Sequence, residues 1–167
     1  SSNDLIKFND IKIFIRSYIF ERPELSVSKL EVKNANSDLT NQITAILQLS
    51  FPINSIQLDI KNLQQIINNI DSVESSHVRI TDNGILVIEV VERLPVAVYR
   101  NDNKLALIDI EGLKINNVFS RSDRKDLPLI IGSEGNLFVK EALEIYKIFS
   151  SNIYEIRGIM RIGKRRW

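Results

Sequence analysis

Ile85-Leu-Val-Ile-Glu-Val-Val-Glu-Arg-Leu-Pro-Val-Ala-Val-Tyr99 is the stretch on which the fold of this chain turns. Its first half reads as a strand: Leu86, Ile88 and Val90 make one fully apolar face, and Val87, Glu89 and Val91 a mixed one. Asn83-Gly84 just upstream supplies residues able to take positive φ, as a tight hairpin requires. Pro95 then removes a backbone donor and biases Leu94 toward extended backbone, which a central strand seldom tolerates. Two readings fit. Glu92-Arg93-Leu94-Pro95 is a stiff joint between the last strand of one small domain and the first strand of another, or it is a bulge in one bent edge strand. The change of texture beyond Pro95 favours the joint.

Upstream, Val78 and Ile80 alternate with His77, Arg79 and Thr81 and predict the strand that enters the hairpin. Asp59 is placed to cap a helix carrying Leu63, Ile66, Ile67 and Ile70. Ser37 is placed to cap another, with Leu39, Ile43, Ile46 and Leu47 on one face and Phe51-Pro52 as its end. Val27, Leu30 and Val32 suit a strand over Leu25 to Lys33. The order strand, helix, helix, strand, strand predicts a two-layer domain with both helices on one face of the sheet. Before it, Phe8, Ile11, Phe14, Ile15 and Tyr18 share a helical face that Glu21-Arg22-Pro23 ends. Such a helix suits a membrane surface or a packing site on its own domain or a partner.

Downstream, Lys104 to Ile108 and Leu113 to Val118 are strands set off by the turn clusters Asn101-Asp102-Asn103 and Asp109 to Gly112, so an antiparallel meander is expected. Ser120 to Asp126 reads as a charged loop and Leu129 to Ile131 as a further apolar run. After Gly132-Ser133-Glu134-Gly135, Asn136 is placed to cap a helix with Phe138, Ala142, Ile145 and Phe149 on one face. The last segment alternates Tyr154, Ile156, Gly158, Met160 and Ile162 against Glu155, Arg157 and Arg161, as a strand or hairpin would.

The 167 residues hold one domain or two small ones, and 44% apolar with 26% charged residues is an ordinary globular balance. A net charge of +1 gives no global reason to expect nucleic acid. Without cysteine, disulfides, thiol catalysis and thiolate metal sites are excluded. No uninterrupted apolar run approaches the roughly 18 residues of a membrane span. The start at Ser1 carries the expectation of a targeting or anchoring segment upstream.

Candidate chemistry is thin. His77 has no second histidine with which to share a metal and reads as a solvated strand residue. Glu89 and Glu92 lie three apart in a strand and point to opposite faces, which spoils an acid/base pair. Asp123, Arg124, Lys125 and Asp126 mix signs in a loop. Gly132 to Gly135 lacks the lysine and spacing of a phosphate loop, and Ser133 lacks nucleophile-elbow spacing. The one local charge excess is Arg157, Arg161, Lys164, Arg165 and Arg166 beside Trp167, with no acidic residue after Glu155. It fits a grip on an acidic partner or the solvent face of a strand.

Glu92-Arg93-Leu94-Pro95-Val96-Ala97 matches a Glu-Arg-x-Pro-Val-Ala signature, and through it the chain resembles the FtsQ/DivIB family of cell-division proteins. Leu107-Ile108-Asp109 with Gly112, Leu127 to Gly132, the following helix and Arg165-Arg166-Trp167 match in the family's order. The likeness runs over residues 25–167. It departs at Asn34-Ala35-Asn36, where the family has glycine, and the family's β domain continues past Arg-Arg-Trp. The resemblance implies an α+β protein. Residues 1–24 would be an amphipathic juxtamembrane linker and residues 25–94 a POTRA-like β-α-α-β-β domain. Residues 95–167 would be an antiparallel β domain with one packed helix, incomplete at its C-terminus.

The same resemblance implies a bitopic protein of the bacterial inner membrane, with a membrane helix upstream of Ser1 and this segment in the periplasm. It would recruit and link divisome components by protein–protein contact, without catalysis, cofactor or nucleic acid. The β domain would bind FtsB/FtsL-like membrane proteins, with Arg165, Arg166 and Trp167 marking the start of that surface. The POTRA domain would meet further divisome proteins, and Glu92, Arg93 and Pro95 would form the interdomain joint. The alternative is a POTRA module of an outer-membrane assembly or secretion protein.

Overall fold

The structure, a computed structural model, describes residues 25–150, 156–163 and 166–167. The linker and amphipathic helix expected within residues 1–24 lie outside the described residues. The chain divides into two compact units: one ends at Asn69 and resumes over Ser75–Val91, and the other comprises Ile70–Glu74 and Glu92–Trp167.

The first unit is built on β1 (Ser26–Val27), β2 (Lys29–Lys33), α1 (Ser37–Leu47), β3 (Ile53–Asn54), α2 (Ile60–Asn68), β4 (Val73–Ile80) and β5 (Ile85–Glu92). β5 is the middle strand of a sheet ordered β2-β5-β4 and runs parallel to β2. Parallel neighbours need a crossover connection, and α1, α2 and β4 occupy it. The middle position buries Leu86, Ile88 and Val90 on one face and Val87 on the other. Leu39 and Ile43 of α1 and Leu63 and Ile67 of α2 are buried with them.

Local chemistry sets the element ends. Asp59 caps α2 as expected, its carboxylate accepting from the Asn62 N–H at 3.0 Å. α1 is capped by Asn36 rather than Ser37, through a 2.9 Å bond from the Leu39 N–H. Its end also comes before Phe51-Pro52: Gln48 takes φ 46 and donates its N–H to the Thr44 carbonyl. The single strand expected over Leu25 to Lys33 breaks at Ser28. β1 pairs with β3, which no sequence pattern announced, while β2 pairs with β5. Ser28 N–H donates to the Gly84 carbonyl at 2.8 Å. At φ +67 Gly84 serves the hairpin, and a Cβ there would collide with the Ser26 carbonyl.

The second unit carries β6 (Ala97–Asn101), β7 (Lys104–Ile108), β8 (Lys114–Val118), β9 (Leu129–Ile131), α3 (Val139–Ser150) and β10 (Ile159–Met160) in a sheet ordered β10-β9-β6-β7-β8. β6, β7 and β8 form the expected antiparallel meander. β9, however, runs parallel to β6, and β10 parallel to β9, so the sheet is mixed. α3 is the reason for the second pairing: as a crossover helix it returns the chain in the same direction. Ser120 to Asp126 is more ordered than a loop. Arg121–Arg124 form a 3-10 turn in a capping box, with Asp123 accepting from the Ser120 N–H at 3.1 Å. Asn136 does not cap α3. It sits in the 3-10 turn Gly135–Phe138 and donates its side-chain amide to the Gly112 carbonyl at 3.3 Å.

The core of this unit is Ala97, Ile108, Ile130, Val139 and Ala142, with Val96, Tyr99, Leu143, Ile159 and Trp167 packed against it. The Tyr99 hydroxyl donates to the Gly132 carbonyl at 2.8 Å. Burial, and then the Asp102 charge, push its pKa above the ordinary phenol value, so it remains a donor.

Candidate functional site

Arg93 leaves β5 with its backbone N–H already bonded to the Ser72 carbonyl at 2.8 Å. Its side chain then satisfies three acceptors: Nε meets the Asp71 carbonyl at 3.1 Å, Nη2 the Val73 carbonyl at 3.0 Å, and Nη1 the Asp109 carboxylate at 2.5 Å. The two charged side chains are 16% and 8% exposed. The other Asp109 oxygen accepts from the Glu111 and Leu113 N–H groups at 2.9 and 2.8 Å. One carboxylate thus shapes the turn after β7 and neutralises a buried guanidinium. Gly112 completes that turn at φ +79, where a Cβ would run into the Asn136 carbonyl. All of these groups belong to the second unit. The arrangement positions backbone by charge-assisted hydrogen bonds. Between β5 and β6, Leu94 is 74% exposed and Val96 N–H donates to the Ile108 carbonyl at 2.9 Å. Pro95, which has no N–H, and Glu92 are both half-buried.

The C-terminal basic segment divides in the structure. Ile162 N–H donates to the Arg166 carbonyl at 2.8 Å across a turn at Gly163, φ +61, and Arg166 is exposed. Lys164 and Arg165 lie outside the described residues. Trp167 is half-buried against the core. Arg161 overturns the expected alternation. Its side chain is 5% exposed, with Nη1 3.2 Å from the Glu141 carboxylate. Its guanidinium carbon lies 3.5 Å from the Phe138 ring centroid and 4.9 Å from that of Trp167. Two ring faces and a carboxylate make burial of that charge tolerable. The apolar Met160 and Ile162 are instead 48% and 64% exposed, so the faces are exchanged over 160–162, while Ile156 is half-buried and Arg157 exposed as the alternation expects.

The remaining sequence candidates stay apart. His77 is exposed on β4. Glu89 meets Arg79 across the hairpin at 3.1 Å, with both side chains well exposed. Asp126 is gripped by Arg124 at 2.8 Å, and that hydrogen bond holds its carboxyl below the usual aspartate range. Among the described residues no three His, Cys, Asp or Glu side chains gather where a metal could sit, and no helix is long and apolar enough to cross a membrane. Sequence reasoning named Arg93 and Asp109 but did not pair them. It missed the Arg161 sandwich, for which Phe138 and Trp167 were the only signal.

No family model matches this chain. It is 38% identical over 146 residues to a cell division protein FtsQ of Roseobacter litoralis, covering 87% of this chain and 50% of the relative. A cell division protein FtsQ of Dinoroseobacter shibae is 35% identical over 155 residues, 93% of this chain and 52% of the relative. One from Cereibacter sphaeroides is 36% identical over 147 residues, 88% of this chain and 48% of the relative. The chain spans about half the length of the curated relatives it matches. Over that half, with its α+β, POTRA-like first unit and its helix-bearing second sheet, this chain belongs to the FtsQ/DivIB family of cell-division proteins.

Proposed function

We propose that this chain is the periplasmic part of a bitopic inner-membrane division protein that recruits and links divisome components by protein–protein contact, without catalysis. In this reading residues 25–94 are the POTRA domain and residues 95–167 the β domain. Glu92, Arg93 and Pro95 form the stretch of chain that joins them. Partners of the FtsB/FtsL type dock from Arg165, Arg166 and Trp167 onward, and other divisome proteins meet the POTRA domain. The observation that carries the reading is the likeness, over 87% of the chain for the Roseobacter litoralis relative, to proteins named for cell division. Two features of the chain support the docking surface: Arg166 stands exposed at a bridged turn, and the half-buried Trp167 packs that turn onto the core. The outer-membrane assembly alternative is not favoured by relatives that carry a division name.

The test is binding of the full-length protein to an FtsB/FtsL-like partner, with Arg165→Glu and Arg166→Glu combined. If the partner is acidic where it meets them, affinity falls at least tenfold, about 1.4 kcal/mol, while the melting temperature barely moves. Unchanged affinity moves the partner surface elsewhere.

A further inference from the structure

An open sheet edge offers unpaired N–H and C=O groups to any strand that arrives, and folds usually blunt it with charges, with a very short strand or with a bulge. In the first unit both edges of the three-stranded sheet carry exposed charges: Lys29, Glu31 and Lys33 on β2, and Glu74 and Arg79 on β4. In the second unit β10 is two residues long. β8, at the other end of that sheet, is five residues long and nearly free of charge. Among the described residues it pairs with β7 on one side and with no strand on the other. Its one charge is Lys114, at its start and 3.9 Å from Asp71, whereas Ile115, Asn116, Asn117 and Val118 are neutral. The irregularity in its ladder falls between Leu107 and Ile108, so Asn116, Asn117 and Val118 keep regular register with β7. Phe119 follows, 100% exposed.

We infer that β8 is a pairing edge for a second copy of this chain, the two strands running antiparallel about a two-fold axis at Asn117. Side chains directly opposite one another share a face of the sheet, so a self-paired strand is centred on a residue and not between two. Centring on Asn117 sets each Asn116 opposite the other copy's Val118. It brings the two exposed Asn117 amides together, where each can both donate and accept. It also sets Phe119 opposite Ile115 of the second copy and each Lys114 opposite a serine, Ser120, with no like charges facing. Centring on Asn116 would instead leave Phe119 uncovered and set Lys114 opposite Val118. A neutral edge gives a charged strand nothing to pair with, and β8 itself supplies what the edge lacks: free backbone groups, matching amides and an apolar side chain. The arrangement consumes both β8 edges, so assembly closes at two. Few residue pairs are involved, so the dimer depends on concentration. The site lies at the opposite end of the sheet order from β10, which leads into the Arg166 turn, and it stands or falls separately from the proposed partner surface.

The experiment is sedimentation of the 167-residue chain over a wide range of concentration. The wild-type chain is expected to pass from monomer to dimer and no further, with amide hydrogen exchange slowing at Asn116, Asn117 and Val118 as it does so. Asn117→Lys and Asn117→Glu each place like charges opposite one another across the axis, and each alone should dimerise at least tenfold more weakly with an unchanged melting temperature. Mixed in equal amounts, the two variants should pair with each other, because only at the axis does a residue meet its own counterpart. Phe119→Ser should weaken the dimer severalfold, and Arg166→Glu should leave it unaltered. A chain that stays monomeric at every concentration would overturn the inference, as would a dimer indifferent to Asn117→Lys. So would failure of the mixed variants to pair, or growth beyond two copies, which would show pairing with a different strand or through a different surface.

Discussion

The two units bury different things. In the first, the buried side chains among the described residues are almost all aliphatic, and the one buried polar group among them, Ser76, donates to Asn68 at 2.7 Å. In the second, Asp109 and Arg161 are buried charges at 5% and 8% exposure, each with an oppositely charged partner. The contrast follows from topology. A strand hydrogen-bonded on both sides, such as β5, is held by its ladders and by apolar burial, without a buried charge. The second unit must hold a tight turn after β7 and the segment 71–74 beside it, where few apolar side chains are available. There, ion pairs with directed hydrogen bonds specify the geometry, at a desolvation cost that makes them fragile.

Removing one partner of the buried pair breaks this contrast most severely. Asp109→Ala leaves Arg93 charged and buried and frees two N–H groups of the turn, so it should cost about 3–5 kcal/mol in urea unfolding. Replacing both partners, as Arg93→Met with Asp109→Leu, sharpens the point. A simple buried pair often tolerates apolar exchange, but here two carbonyls and two N–H groups lose their partners as well, so the double variant should remain clearly destabilised. A double variant as stable as the wild type would show the pair to be dispensable. In the first unit the equivalent injury is a cavity: Ile88→Ala, at a fully buried position, should cost about 2–5 kcal/mol with no dependence on salt.

Exposed charges should matter far less. Arg79→Ala removes a pair whose side chains are 43% and 38% exposed, and the loss should be about 0–1 kcal/mol, falling as salt is raised. The Asp126 carboxyl should titrate below an ordinary aspartate in an NMR pH series, because the Arg124 hydrogen bond favours its charged form. With a folded pKa below the unfolded one, its small contribution is present at neutral pH and is lost as pH falls through the folded value. Arg124→Gln should return the titration toward the ordinary range.

Much of the first unit is legible in the chain. The alternation through Ile85 to Val91, the Asn83-Gly84 turn and the helical spacings of Leu39–Ile43 and Leu63–Ile67 are local patterns with local causes. What escapes is non-local. β3 is two residues long and gains strand geometry only from pairing with β1. The parallel setting of β9 and β10 depends on which strands a crossover brings together, which no window of sequence encodes. The site divides the same way. Arg93 stands out because Pro95 marks the joint, but its carboxylate lies 16 residues on. Arg161 looks like one of a row of surface cations until Phe138 and Trp167 close over it.

In the proposed function the protein acts in division by holding partners at the Arg165-Arg166-Trp167 surface. Septation in cells depleted of their own copy tests it most directly. The wild-type full-length gene should restore division. The Arg165→Glu, Arg166→Glu form should accumulate to the same level and leave the cells as filaments, with partner proteins no longer co-purifying. Normal septation by that variant at equal abundance, with its partners still bound, would contradict a partner surface at these residues.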